Sequence, residues 1–318
     1  MTAAAGSGDL AVRSGALVRP VALKVDVDTL RGTREGVPRL VELMRRLGVG
    51  ASFYFSLGPD HTGRALKRVF RRGFLGKVRR TNVAGHYGLK TLMYGVLLPG
   101  PDIGRRAGDV MRGVRDAGFE VGIHCHDHVR WQDGVARASA DWTRREYQRA
   151  SAAFEAVFGT PARSHAAAGW QINPYTLVLQ TEAGLHYASD GRGPRPFWPV
   201  MGDVAGGCLQ IPTTLPTFDE LIGVEGRDAD GAADEVLRLS RIDAEAGHVF
   251  TLHAELEGQQ LLPQFEKLLR AWLAEGRAVV AMRDFAAGLD TAAIGRERIV
   301  MGEVPGRSGL MAVSGAAL

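Results

Sequence analysis

"VALKVDVDT", residues 21–29, is the stretch on which the fold turns. Apolar and polar residues alternate in it with period two, the pattern of a strand. A dinucleotide-binding domain would follow its first strand with a glycine-rich turn for a pyrophosphate. Here the strand runs instead into Asp26-Val27-Asp28-Thr29. Working outward, "REGVPRLVELMRRLG" sets Val37, Leu40, Val41, Met44 and Leu47 at helical spacing, with Gly48 as a stop. "VGASFYFS" reads as a second strand. "IGRRAGDVMRGVRDAG", "TRREYQRASAAFEAVFG", "PYTLVLQTEAG", 229–246 and 261–275 read as helices. "FEVGIHC", "ARSHAAAG", "LHYASD", "CLQIPTTL", "HVFTLHAE" and "RAVVAM" read as strands. This alternation predicts an α/β fold, a parallel sheet covered by helices. A distorted (β/α) barrel fits better than an open dinucleotide sheet, and barrels carry their chemistry at the C-terminal strand ends.

The chain of 318 residues suffices for one large α/β domain or two small ones. Two cysteines, Cys125 and Cys208, exclude a disulfide framework and suit a reducing compartment. Residues 1–18 are rich in small residues and lack the apolar core of a signal peptide. They read as a flexible tail, and 292–318, ending "VPGRSGLMAVSGAAL", as another. A single catalytic domain is therefore expected over 19–291. No apolar run reaches the length of about 18 residues needed to span a membrane.

The suspicious polar residues fall at the expected strand ends. Lys24, Asp26 and Asp28 share one strand face, and Val25 and Val27 the other. A single aspartate there would pass as a turn or helix cap. Two same-facing carboxylates ending an apolar strand are costly to bury unpaired, and capping accounts for them poorly. In "HCHDH", His124 and His128 are four apart and converge if a helical turn follows the strand; were the strand to continue, His126 would share their face. Cys125 alternates away from His124. Two imidazoles and one carboxylate leave open positions on a divalent metal, as hydrolysis requires. Either Asp26 or Asp28 could supply the carboxylate. In "FTLHAELEG", His253 ends a third strand and shares a face with Glu255; read alone, a buried structural histidine is as good an account of it as a proton donor.

Together these segments resemble the polysaccharide deacetylase (NodB-homology) family. The stretches "KVDVDTLRGTREGVPRL", "SLGPD", "EVGIHCHDH", "AAAGW", "SDGRGPRPF", "IPTTLPTFDE" and "TLHAELEG" look more closely like its 4-deoxy-4-formamido-L-arabinose-phosphoundecaprenol deformylase branch. The resemblance runs from about Val21 to about Leu289. It implies a distorted (β/α) barrel and one catalytic divalent metal held by Asp28, His124 and His128. Asp26 matches the general base and His253 the general acid. The implied reaction is hydrolysis of an N-formyl group on an undecaprenyl-phosphate-linked sugar, releasing formate and a 4-amino sugar for lipid A modification and polymyxin resistance. Zn, Co, Mn or Fe would each suit the ligand set. Arg192, Lys24, Glu255 and Trp170 are the expected substrate-side residues, with Arg192 on the sugar phosphate because a guanidinium grips phosphate bidentately. The wider family orients its base with an arginine. His165 stands at that place here, and Lys24, two residues before Asp26 on the same face, is the expected substitute.

Net charge is +4, yet the stretch from His61 to Pro101 holds nine Lys or Arg and no acid. Arg64, Lys67, Arg68, Arg71, Arg72, Lys77, Arg79 and Arg80 alternate there with Leu, Val and Phe. This predicts a basic amphipathic helical insertion over 58–103, after the second strand, that docks on anionic lipid. No nucleic-acid-binding motif accompanies the charge. The expected location is peripheral, on the cytoplasmic face of a bacterial inner membrane. A deacetylase of the same family acting on another N-acyl sugar or glycan is the alternative. A non-catalytic binding protein would not need all five matched polar positions.

Overall fold

The computed structural model describes residues 19–65 and 89–317. The first strand, β1 (Val21–Val27), is buried along its whole length. Burial on both faces marks a parallel strand between two packing layers. The parallel sheet takes the order β9 (His248–His253), β1, β2 (Ser52–Ser56), β3 (Glu120–Cys125), β4 (Ser164–His165), β5 (Tyr187–Ala188), β8 (Leu209–Gln210). The strand β10 (Val279–Ala281) pairs with the start of β1. The edges β8 and β9 form no ladder. Thr214 N–H and Leu215 N–H both donate to the Val249 carbonyl at 3.1 and 3.2 Å, and the Thr213 and Thr251 hydroxyls meet at 2.6 Å. The sheet is thus a barrel with one irregular seam, the distorted α/β barrel expected.

Alternation along β1 divides two cores. Val21, Leu23, Val25 and Val27 pack outward with Phe53, Phe55, Phe250 and Trp272. Covering that face are α1 (Val37–Leu47), α2 (Ile103–Asp116), α3 (Ala140–Phe158), α5 (Ala229–Ser240) and α6 (Leu262–Ala274), while α4 (Pro174–Glu182) packs on α3. Ala22 packs inward with Tyr54, Ala166, Tyr187 and Val249. Lys24 and Asp26 share that inward face. Helix starts carry side-chain caps: Asp102, Ser139, Asn173 and Asp228 each accept a first-turn N–H.

The expectation of a tail over 292–318 is corrected. β11 (Arg296–Glu303) and β12 (Leu310–Ala317) pair antiparallel, and β11 runs parallel to β6 (Trp198–Met201), which pairs with β7 (Val204–Ala205). Ile299, Met311 and Ala312 are buried against Ile172, Leu177 and Phe197. β11 is broken by charges and β12 is rich in Gly, Ala and Ser, so their apolar alternation is weak. They gain burial only by stacking on a partner brought from residues 172–201.

Of the expected membrane-docking cations, Arg64 is described, and its Nε donates to the Gly95 carbonyl at 3.0 Å. Lys67, Arg68, Arg71, Arg72, Lys77, Arg79 and Arg80 lie outside the described residues. Where the chain returns, Val96 and Leu97 are 54% and 75% exposed. Among the described residues, no helix is long and apolar enough to cross a membrane.

Candidate metal centre and active site

Asp28 follows β1, His124 lies in β3, and His128 opens the short helix His128–Gly134. Asp127 makes the switch from strand to helix: its Oδ1 accepts the Arg130 N–H. That switch puts His124 and His128 on one side, and His126 turns away to pack its ring against Gly58, where a Cβ would fall 2.5 Å from it. Cys125 is buried with its Sγ 3.3 Å from the Ser56 hydroxyl, clear of the site.

One ligand atom from each of Asp28, His124 and His128 lies within 4.8 Å of the others. His124 Nε2 is 3.2 Å from Asp28 Oδ1, and His128 Nε2 is 3.4 Å from Asp28 Oδ2. Asp28 Oδ1 is nevertheless buried without a hydrogen bond. His124 Nδ1 meets the Ala166 carbonyl at 2.6 Å, which places a proton on Nδ1 and leaves Nε2 as the atom facing Asp28. Two imidazole nitrogens and a carboxylate facing one another with an unsatisfied oxygen fit a divalent cation. Burial works against the charge of Asp28, but His128, His124 and His253 outweigh it and hold the carboxyl well below the usual range.

The loops bearing the ligands are tied down from outside. Glu255 Oε1 accepts the N–H groups of Asp28 (3.1 Å) and Thr29 (2.9 Å) and the Thr29 hydroxyl (2.8 Å). Burial and the charge of Asp28 push its carboxyl well up. Only glycine fits at position 32, where a Cβ would fall 1.9 Å from that oxygen. Asp60 Oδ2 accepts the Leu30 N–H at 3.0 Å, and His61 Nδ1 meets Asp127 Oδ2 at 2.6 Å. Residues leaving β2 therefore hold both ligand-bearing loops.

Asp26 sits one strand step inside Asp28. Lys24 Nζ is 3.3 Å from its Oδ2 and donates to the Ser189 carbonyl at 3.2 Å, while Asp26 Oδ1 is buried without a hydrogen bond. Burial pushes the Lys24 ammonium down, and Asp26 opposes this. His165, at the place of the family's arginine, pairs with Asp190 at 2.7 Å instead of with Asp26. Asp190 also accepts from Ala167 N–H at 2.8 Å and Gln210 Nε2 at 3.2 Å. His253 pairs in register with Asp26, and its Nδ1 is buried without a partner.

Three of the four expected substrate-side residues are buried and engaged with protein groups. Lys24 is 0% exposed and engaged with Asp26. Glu255 is 1% exposed and holds backbone around Asp28. Trp170 is 2% exposed, with its indole already approached by Lys24, Arg192 and Arg307. Arg192 keeps some exposure, yet its Nη1 meets Glu220 Oε1 at 2.5 Å and its Nη2 the Leu215 carbonyl at 3.0 Å. Arg307, Glu220, Asp190, Asp60 and His61 were missed. Asp60 and Asp190 sit in the quoted stretches "SLGPD" and "SDGRG", but Arg307 lies in a glycine-rich segment with no signal of its own.

A polysaccharide deacetylase family profile matches residues 18–188. The chain is 38% identical over 252 residues to the "Probable 4-deoxy-4-formamido-L-arabinose-phosphoundecaprenol deformylase ArnD" of Shewanella sediminis, covering 79% of this chain and 81% of that one. It is 32% identical over 254 residues to the protein of the same name from Wigglesworthia glossinidia brevipalpis, covering 80% and 88%. Its fold is similar to the crystal structure of a candidate polysaccharide deacetylase from Mycobacterium smegmatis, with a TM-score of 0.60 and 17% identity over 90% of this chain and 96% of that one.

Proposed function

Because the chain belongs to the polysaccharide deacetylase family of amide-cleaving hydrolases, we propose that it is a metal-dependent deformylase. Its substrate is undecaprenyl-phosphate 4-deoxy-4-formamido-L-arabinose, and its products are formate and the 4-amino sugar lipid used to modify lipid A. The observation that carries this reading is the convergence of Asp28, His124 and His128 beside an Asp26 whose Oδ1 has no hydrogen-bond partner among the described residues.

Asp28, His124 and His128 would hold a divalent cation, which would supply Lewis acidity toward the formyl oxygen and a water. Asp26 takes the proton from the water as it adds to the formyl carbon, and Lys24 holds the other carboxylate oxygen in place. His253, on the neighbouring strand at the same level, protonates the amine nitrogen as the C–N bond breaks. The barrel interior excludes bulk water around Lys24 and Asp26, so their pairing is strong.

The enzyme works as a peripheral protein on the cytoplasmic face of the inner membrane, docked through Arg64, Lys67, Arg68, Arg71, Arg72, Lys77, Arg79 and Arg80. The alternation of cations with Leu, Val and Phe supports this, as do the exposed Val96 and Leu97 beside that segment. Charge reversal across 64–80 should release the protein from anionic vesicles; unchanged retention overturns the docking.

The function is tested by formate release from the lipid-linked formamido sugar, with wild type against Asp28→Ala. Equal rates overturn it. One methyl group gives only modest discrimination, so acetate release from the N-acetyl analogue faster than formate release, and not merely detectable, would assign the chain to the deacetylases.

A further inference from the structure

We infer that Arg192 and Arg307 form a phosphate-ester subsite where the second sheet meets the barrel, an inference that rests on the lipid-linked substrate proposed above. Arg307 lies in the connection between β11 and β12. Its guanidinium stands 4.7 Å from the Trp170 ring centre, and that of Arg192 5.1 Å from the same ring. Trp170 holds its place at a φ of 53°, a conformation that side-chain-bearing residues rarely adopt.

One carboxylate oxygen sets both arginines. Glu220 Oε1 accepts Arg192 Nη1 at 2.5 Å and Arg307 Nε at 2.8 Å. Thr217 Oγ1 and Asp219 Oδ1 each accept Arg307 Nη2 at 3.1 Å. Among the described residues, Arg192 Nε–H is buried with no acceptor. A buried guanidinium N–H without a partner is rare in a finished network and points to an acceptor that arrives from outside. Asp219 and Glu220 balance the two arginine charges, so directed N–H donors rather than net charge recognise the anion.

Position and access agree. The side chains of Arg192 and Arg307 are 10% and 15% exposed, whereas Lys24, third on the same indole, is 0% exposed. Lys24 reaches Asp26 at 3.3 Å, so the arginines lie one indole away from the proposed base.

The test uses full-length wild type, Arg307→Gln and Arg307→Lys, each checked for an unchanged circular dichroism spectrum. Equilibrium titrations use farnesyl phosphate, farnesol and inorganic phosphate. Kinetics compare the phosphate-linked formamido sugar with a phosphate-free formamido glycoside. Arg307→Gln should weaken farnesyl phosphate and raise KM for the phosphate-linked substrate by about 10–100-fold, the worth of a hydrogen bond to a charged group. It should leave kcat and the phosphate-free glycoside within about twofold, and Arg307→Lys should recover part of the loss. Equal losses on both substrates, or wild-type farnesyl phosphate binding by Arg307→Gln, overturn the subsite. Inorganic phosphate binding as tightly as farnesyl phosphate overturns its assignment to a lipid-linked ester. A wild type that binds farnesyl phosphate through Arg307 yet releases no formate leaves the subsite standing and removes the deformylase reading.

Discussion

Asp26 and His253 stand opposite each other in register on the parallel strands β1 and β9. In-register residues of a parallel pair project to the same face, so a carboxylate and an imidazole enter the barrel side by side. His253→Ala should therefore lower kcat roughly 10²–10⁴-fold, the usual worth of positioned proton transfer, while keeping the metal. Wild-type turnover by that variant would remove His253 from the reaction.

Metal binding should depend on three residues and ignore a fourth. Asp28→Ala, His124→Ala and His128→Ala should each lose bound metal on gel filtration, as read by elemental analysis. His126→Ala should keep it, because His126 packs on Gly58, away from the ligand cluster. Metal loss from the His126 variant would place the centre elsewhere.

Lys24→Met should strip Asp26 of its cation. Both side chains are nearly inaccessible, at 0% and 4%, and a buried charge left unpaired costs about 3–5 kcal/mol. The variant should melt lower and turn over more slowly with its metal retained. An unchanged rate and pH profile would take Lys24 out of the mechanism.

Glu257 makes stability depend on pH. Burial pushes its carboxyl up to about 8 from an ordinary 4.5; one oxygen accepts the His253 N–H at 2.8 Å and the other has no partner. Between those values the folded chain keeps a proton that the unfolded chain has released. Stability from this group is thus full below the unfolded value and is lost as pH rises through the folded one, by up to about 1.4 kcal/mol per pH unit. Glu257→Gln should melt with wild type near pH 4 and above it near pH 8.5, to the extent of that slope. Parallel melting profiles across the range would contradict a neutral buried Glu257.

Truncation after residue 291 tests the second sheet. It removes Ile299, Met311 and Ala312 from contact with Ile172, Leu177 and Phe197. Burial of each large apolar side chain is worth about 1.5–3 kcal/mol, so calorimetry should show a loss of several kcal/mol. A tail would leave the melting temperature unchanged.

Legibility followed the range of the signal. Lys24, Asp26 and Asp28 share a face because a strand has period two, which a sequence displays directly. His124 and His128 converge because Asp127 caps a helix three residues before Arg130, again a local pattern. The partner of His165 lies 25 residues away in Asp190, and Glu255 reaches the Asp28 N–H across 227. No periodicity carries such pairs, so the hold of Glu255 on the Asp28 and Thr29 backbone could not be read locally.

The sequence by itself determined the α/β alternation, the inward polar face of the first strand and the residue types that can hold a divalent metal. Those follow from local periodicity and from the cost of leaving charge at the end of an apolar strand. Only the tertiary structure decided which charges are spent on one another. His165 goes to Asp190, while a segment that read as a tail returns as two strands and sets Arg307 on Trp170 beside Arg192. Burial is the physical reason: once water is gone each charge must find a partner, and that choice is made by segments well separated along the chain.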